Sequence, residues 1–346
     1  MNARAVAAGI ASVIAFLALA PAWLPVRARQ AEQLPQRLVE TGLFSGDPDT
    51  IASHNRRFVP QYPLWSDGMT KRRWVALPGT ANVDAKDAHA WDFPAGTRFW
   101  KEFSLNGRKI ETRLLWKTSD TEWLFGSYVW NEDGTDATLA PEDGIPAFVE
   151  VAPGRRHSIP SRSDCAACHG TKRPGPLGFT ALQLSTDRDP NAIHGEPLAP
   201  GMLTLRDLVE QRILSPARHD LVDTPPRIRT ANPSTRAALG YLAANCGSCH
   251  NGNADLSVLG PSLTTQDLIA DADAVARAFI DRESRWQVPG TTDGRSVLLR
   301  PGVPEESAML VRMRSRAPSS QMPPIGTVLR DREAVDAIGR WIAGLR

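Results

Sequence analysis

All four cysteines of the 346-residue chain fall into two pairs, and a histidine closes each pair: Cys165-Ala166-Ala167-Cys168-His169 and Cys246-Gly247-Ser248-Cys249-His250. On a helical turn, positions i, i+3 and i+4 share one face. Two thiols and one imidazole can therefore meet a single flat ligand. The pattern is the attachment signature of c-type haem: the thiols bond the vinyl groups on one porphyrin edge, and the histidine reaches the iron. Histidine is scarce, at 7 residues, so its placement after both pairs is specific. The predicted cofactors are two covalently bound haem c groups. Cys165, Cys168, Cys246 and Cys249 would carry them, with His169 and His250 as axial iron ligands.

Other uses of paired cysteines fit less well. A thioredoxin-type pair belongs in a strand–helix–strand setting, which the flanking sequence lacks. Structural zinc would need the two pairs, far apart in sequence, to converge. Two short disulfides would leave the histidines unexplained.

The N-terminus reads as a targeting segment over residues 1–28. A short basic start at Arg4 leads into an apolar run from Ala5 to Val26. Small residues then offer cleavage patterns at Ala20-Pro21-Ala22 and Val26-Arg27-Ala28. The expectation is a secretory signal peptide, with an uncleaved N-terminal anchor as the rival; a membrane is a partner only in that second case. Either way the rest of the chain is expected to be periplasmic or otherwise extracytoplasmic, where c-type haem is attached. A net charge of +2 gives no reason to invoke nucleic acid, and none is expected as a partner.

Residues 29–159 read as a β-rich domain. Seven of the ten tryptophans lie between Trp65 and Trp130, where strand patterns concentrate. Strands are predicted at Arg73–Leu77, Thr97–Leu105, Lys109–Lys117, Glu122–Trp130 and Ala147–Val151. The dipeptide Asn106-Gly107 suits the positive φ angles of a tight hairpin turn. This part is expected to be an antiparallel β-sandwich-like domain. Residues 160–231 form a first haem-binding region. Residues 232–346 form a second haem-bearing region with helices at Pro233–Asn245, Glu306–Ser315 and Asp331–Leu345. Asn232 and Pro233 make a good helix start, and Val335, Ile338, Ile342 and Leu345 form one apolar stripe.

Each iron needs a sixth ligand or stays open. Met322, in Ser320-Gln321-Met322-Pro323-Pro324, is the candidate for the second haem, on a loop that two prolines hold extended. A thioether there stabilises reduced iron. The first haem has no such motif. Met202, His194 and His157 are tentative sixth ligands, with His54 and Met69 behind them. Arg72, Arg73, Arg155 and Arg156 are candidates to pair with haem propionates. The acid-rich stretch from Asn131 to Asp136 reads as a polar turn rather than a calcium loop.

Residues 232–346 resemble the class I cytochrome c domain. The resemblance rests on a helix leading into Cys246-Gly247-Ser248-Cys249-His250, then Gly260-Pro261-Ser262-Leu263, Val303-Pro304-Glu305-Glu306-Ser307, Met322-Pro323-Pro324 and the helix bearing Trp341. It implies that Gly240 and Tyr241 sit where the first and last helices cross. The whole chain is similar to an uncharacterised bacterial family of di-haem c-type cytochromes with an N-terminal β-rich domain. That similarity is carried by Pro63-Leu64-Trp65-Ser66-Asp67-Gly68, Lys71-Arg72-Arg73-Trp74, Ser127-Tyr128-Val129-Trp130-Asn131-Glu132-Asp133 and Pro160-Ser161-Arg162-Ser163-Asp164.

The expected architecture is thus multidomain, β followed by all-α: a β-sandwich-like domain, then a helical cytochrome c-like haem region. The expected function is electron transfer to and from redox partner proteins, rather than catalysis. A peroxidase-like haem oxidoreductase with an open first haem is one alternative. A β-domain that binds a ligand or partner, served by the haems, is the other.

Overall fold

Alternation between residues 70 and 130 decides the architecture, because a strand turns successive side chains to opposite faces. The computed structural model describes residues 33–79, 82–170, 175–251 and 260–346. The segment at 1–28 lies outside the described residues. Ten strands are described: β1 (Arg56–Arg57), β2 (Thr70–Ala76), β3 (Val83–Asp84), β4 (Arg98–Leu105), β5 (Arg108–Lys117), β6 (Trp123–Trp130), β7 (Ala137–Leu139), β8 (Ile145–Ala152), β9 (Arg155–Ile159) and β10 (Leu214–Ser215). Six of them make one antiparallel sheet in the order β1-β2-β4-β5-β6-β7. The β4–β5 turn carries Asn106 and Gly107 at φ 50° and 81°, as that dipeptide suggests.

One sheet face presents Trp74, Trp100, Leu114 and Tyr128 to Leu34, Leu38, Leu43 and Phe44 of the preceding segment. The opposite face presents Val75, Phe99, Leu115 and Trp123 to Phe179, Leu203, Leu205 and Leu208. Loops and short helices cover this second face. A hairpin of β8 and β9 and a two-residue parallel pairing of β3 with β10 complete the strands.

Helices follow. They are α1 (Arg162–His169), α2 (Leu205–Glu210), α3 (Asp220–Asp223), α4 (Pro233–Cys246), α5 (Thr265–Phe279), α6 (Ala308–Arg314) and α7 (Arg332–Ala343). Among the described residues only α4, α5 and α7 exceed ten residues, and α5 is broken at Asp271. None is long and apolar enough to cross a membrane.

The predicted fold class is corrected in both halves. The N-terminal part is rich in strands, as expected, but its six-stranded sheet is covered by irregular segments, short helices and the short β3–β10 pairing rather than by a second full sheet. The C-terminal part does not separate as a helical cytochrome c-like region. Its core takes in Tyr62, Leu182 and Ile193 alongside Leu239, Leu242, Leu268, Leu310, Ile338 and Trp341. Residues 33–346 make one compact unit. Gly240 shows the physical reason. A Cβ there would lie 2.1 Å from the Tyr62 ring, so this glycine admits an aromatic from the N-terminal half. Contact between α4 and α7 runs through Trp341, whose Nε1 donates to Thr235 Oγ1 at 3.0 Å, and through Tyr241, whose hydroxyl donates at 2.9 Å to Asp331, the N-cap of α7.

Candidate functional site

The first motif lies wholly on α1, and its sequence explains why a helix starts there. Ser161 caps it: the hydroxyl accepts from Asp164 N at 3.0 Å, and Asp164 returns a carboxylate to Ser161 N at 3.0 Å. Cys165, Cys168 and His169 then fall at i, i+3 and i+4. His169 Nδ1 lies 2.9 Å from the Gly175 carbonyl oxygen. A carbonyl only accepts, so Nδ1 carries the proton and Nε2 keeps its lone pair. That tautomer is the one an imidazole needs in order to bind iron through Nε2. Burial holds the His169 pKa down to about 4, so the ring is neutral at ordinary pH. The Phe125 ring on β6 lies 6.0 Å away, centroid to centroid.

The second motif continues from α4. Asn232 caps this helix with Pro233 at its first position. Hydrogen bonds from Cys249 N and His250 N to Cys246 O, at 3.1 and 2.9 Å, carry the helical turn through the motif. Leu263 N donates to His250 O at 2.8 Å and anchors the returning chain. Burial lowers the His250 pKa, and the Arg312 charge adds to it.

Burial also pushes the Cys165 thiol up to about 11 and the Cys246 thiol up to about 12. Yet all four cysteines retain accessible surface. Groups that are surrounded by protein but still accessible line recesses rather than packed core. This suits thiols that carry a bulky ligand.

The two motifs approach one another. Burial raises the Cys168 pKa, Cys249 adds to it, and Ser248 acts the other way, so both residues of the second motif lie within electrostatic reach of this thiol. Cys168 sits on α1 and Cys249 in the turn that follows α4. Among the described residues no group of three or more His, Cys, Asp or Glu gathers as a bare-metal centre.

Met322 is tied to α6 by a hydrogen bond from its N to Arg312 O at 3.1 Å. Arg312 is the residue whose charge reaches His250. Arg316 donates to Met322 O at 3.4 Å and acts electrostatically on Tyr241, which in turn senses Cys246. The methionine loop and the second motif thus share neighbours.

The tentative ligands of the first haem have other partners. His157, on β9, is buried with Nδ1 3.0 Å from Asp67 and Nε2 3.1 Å from Glu111. Carboxylates only accept, so both nitrogens donate and the ring has no lone pair to give. His194 sets Nε2 2.8 Å from Asp331 and Nδ1 3.2 Å from Glu333, and it stacks on Trp65 at 5.1 Å. Met202 is buried, with its sulfur 3.4 Å from Ala199 N. Met69 is in the core with Phe103, Ile110 and Val149. His54 lines a surface groove of about 510 Å³ with Arg56 and Leu203.

Three of the four candidate arginines are also engaged. Arg72 pairs with Glu102 at 2.7 Å and Arg73 with Glu196 at 3.0 Å. Arg156 binds the carbonyls of Ala147 and Phe148.

Sequence reasoning missed two groups. Asp67 joins the sheet to the far end of the chain: its Oδ1 accepts from Val328 N and Leu329 N, both at 2.9 Å. The quoted Pro63–Gly68 segment contained this residue, but nothing local indicated its partners. The second group is a row of cations on the sheet face beneath α1, formed by Arg73, Lys101 and Arg113 on three adjacent strands. The alternation of β2, β4 and β5 places them on one face, but only the register puts them in one row.

The donor set fits haem c at both places. Each offers two partly accessible thiols and a histidine held neutral on one helical turn. Haem bound there would be held by Cys165, Cys168 and His169, and by Cys246, Cys249 and His250. No family model, curated protein or solved structure matches the chain.

Proposed function

We propose that this chain is an extracytoplasmic di-haem c-type cytochrome that relays electrons between redox partner proteins. The observation that carries the reading is the His169 turn, where Nδ1 donates to the Gly175 carbonyl and leaves Nε2 its lone pair beside two partly accessible thiols, a thiol and imidazole set that the second motif repeats. Cys168 and Cys249 would each help to hold one haem, and their nearness would favour electron exchange between the two. Haem supplies a one-electron iron couple when bound. The chain's own residues do the rest. The Gly175 carbonyl fixes the His169 tautomer, burial keeps both histidines neutral, and Phe125 and the sheet limit water at the first site. Met322 is the proposed distal ligand of the second haem. A tetrahedral zinc centre would need four converging donors, and only Cys168 and Cys249 approach across the motifs.

One observation favours a second reading. His157, His194 and Met202 are all engaged elsewhere, which supports an open face on the first iron and with it peroxidase-like chemistry.

Low-temperature electron paramagnetic resonance on the oxidised, matured protein tests both readings. Two low-spin signals are expected of a pure electron carrier. One high-spin and one low-spin signal would move the assignment to the enzyme. A colourless protein, or pigment lost entirely to acidified acetone, would sink both.

A further inference from the structure

Lys101 is a basic side chain with no ion-pair partner of its own among the described residues. It sits between Arg73 and Arg113, its cross-strand neighbours on β2 and β5. Arg73 has Glu196 at 3.0 Å, and Arg113 has Glu111 at 2.6 Å. Lys101 has no ion pair or hydrogen bond among the described residues. Its ammonium lies 4.9 Å over the Phe103 ring, and Arg113 lies 4.4 Å over the same ring. A charge enclosed by protein without an opposite charge is costly, unless a ligand brings one.

The position says which ligand. Lys101 shares its sheet face with Phe99 and Phe103, and that face packs on the His169 side. Phe125, two residues from Ser127 in the same row, is the ring beside His169. The charges of Lys101 and Arg113 both act on His169, and that of Arg113 acts on Cys165 and Cys168 as well. The cation row therefore runs beside the first motif, starting near its thiols. Lys101 keeps some accessible surface, so it borders a recess. The groups facing it are Lys71 and Arg73 on β2, Glu111 and Arg113 on β5, and His169 on α1.

We propose that Lys101 is the anchor for a propionate carboxylate of the first haem. This rests on the di-haem reading above. The anion enters a gap in an otherwise paired row and completes it, so every cation of Arg73, Lys101 and Arg113 then has a carboxylate. Burial, then the repulsion of Arg73, Lys71 and Arg113, drives the Lys101 pKa far down.

The test is a potentiometric titration of the matured holoprotein, with resonance Raman spectra of the propionate bending bands. The variants are Lys101→Gln and Lys101→Arg. Thioether bonds hold the haem in each case, so pigment content stays that of the wild type. Lys101→Gln is expected to lower the potential of one haem and shift its propionate band, with the low-spin and high-spin signals unchanged. Lys101→Arg is expected to restore both readouts. Unchanged potentials and bands in Lys101→Gln would overturn the pairing. So would a changed spin state, because that would place the amine on the iron instead. A wild-type protein without covalent pigment would defeat the di-haem reading itself, which is a different failure.

Discussion

Two thiols and one imidazole per motif make separable chemical predictions. Replacing Cys165 and Cys168 by alanine should remove half of the covalent pigment, and replacing Cys246 and Cys249 should remove the other half. The mass of the acid-washed polypeptide reads this directly. Met322→Ala should abolish the low-spin signature of one haem only, and an unchanged spectrum would take Met322 away from the site. The thiols and histidines were legible in the sequence, because their spacing is local and a single helical turn carries it. Lys101 was not. Its meaning depends on Arg73 and Arg113 on the two flanking strands, and on Glu196 and Glu111 being taken up by them. The same holds for His157 and His194. A histidine in sequence looks like a ligand until its carboxylate partners, Asp67 with Glu111 and Asp331 with Glu333, are known.

Strand and helix positions were mostly readable from pattern. The Asn106-Gly107 hairpin, the capped start of α4 and the apolar stripe of α7 follow from turn chemistry and periodicity. What packs against each element was not readable, and this is why the fold class failed. The segments that resemble a cytochrome c domain are short local motifs. They do not say that Tyr62 closes the helical core or that the sheet lacks a second layer. Gly240→Ala tests the point. The added methyl would collide with the Tyr62 ring, and overpacking of this kind costs roughly 1–3 kcal/mol. A lowered denaturation midpoint with an unchanged slope is expected. A neutral result would mean that the ring yields without loss.

Across the whole molecule, stability should depend on pH through the buried cluster of Asp67, His157, Glu111 and Arg113. Burial by itself would raise the Glu111 pKa. Arg113 and His157 outweigh it and hold the pKa at about 2, against 4.5 for an unperturbed group. The stabilisation is therefore complete above 4.5 and is lost as pH falls toward about 2. For His157 burial acts downward, but the hydrogen bonds it donates to Asp67 and Glu111 win and raise the pKa above 6.5. Its contribution is complete below 6.5 and is lost as pH rises through the folded value. Resistance to urea should be greatest between these limits, and Glu111→Gln should flatten the acid limb. An acid limb as steep in Glu111→Gln as in the wild type would exclude this carboxylate as its source.

The two amide donors that Asp67 receives from Val328 and Leu329 also impose an order on biosynthesis. Until those late residues have been made, the early half of the polypeptide holds an acidic group whose bonding is incomplete. A nascent chain therefore cannot finish its first half before its last, and a stop codon near residue 320 should yield a product that proteases clear, not a smaller working protein. Both cysteine motifs are made before that closure, so any group that joins their thiols can reach them while the chain is still open.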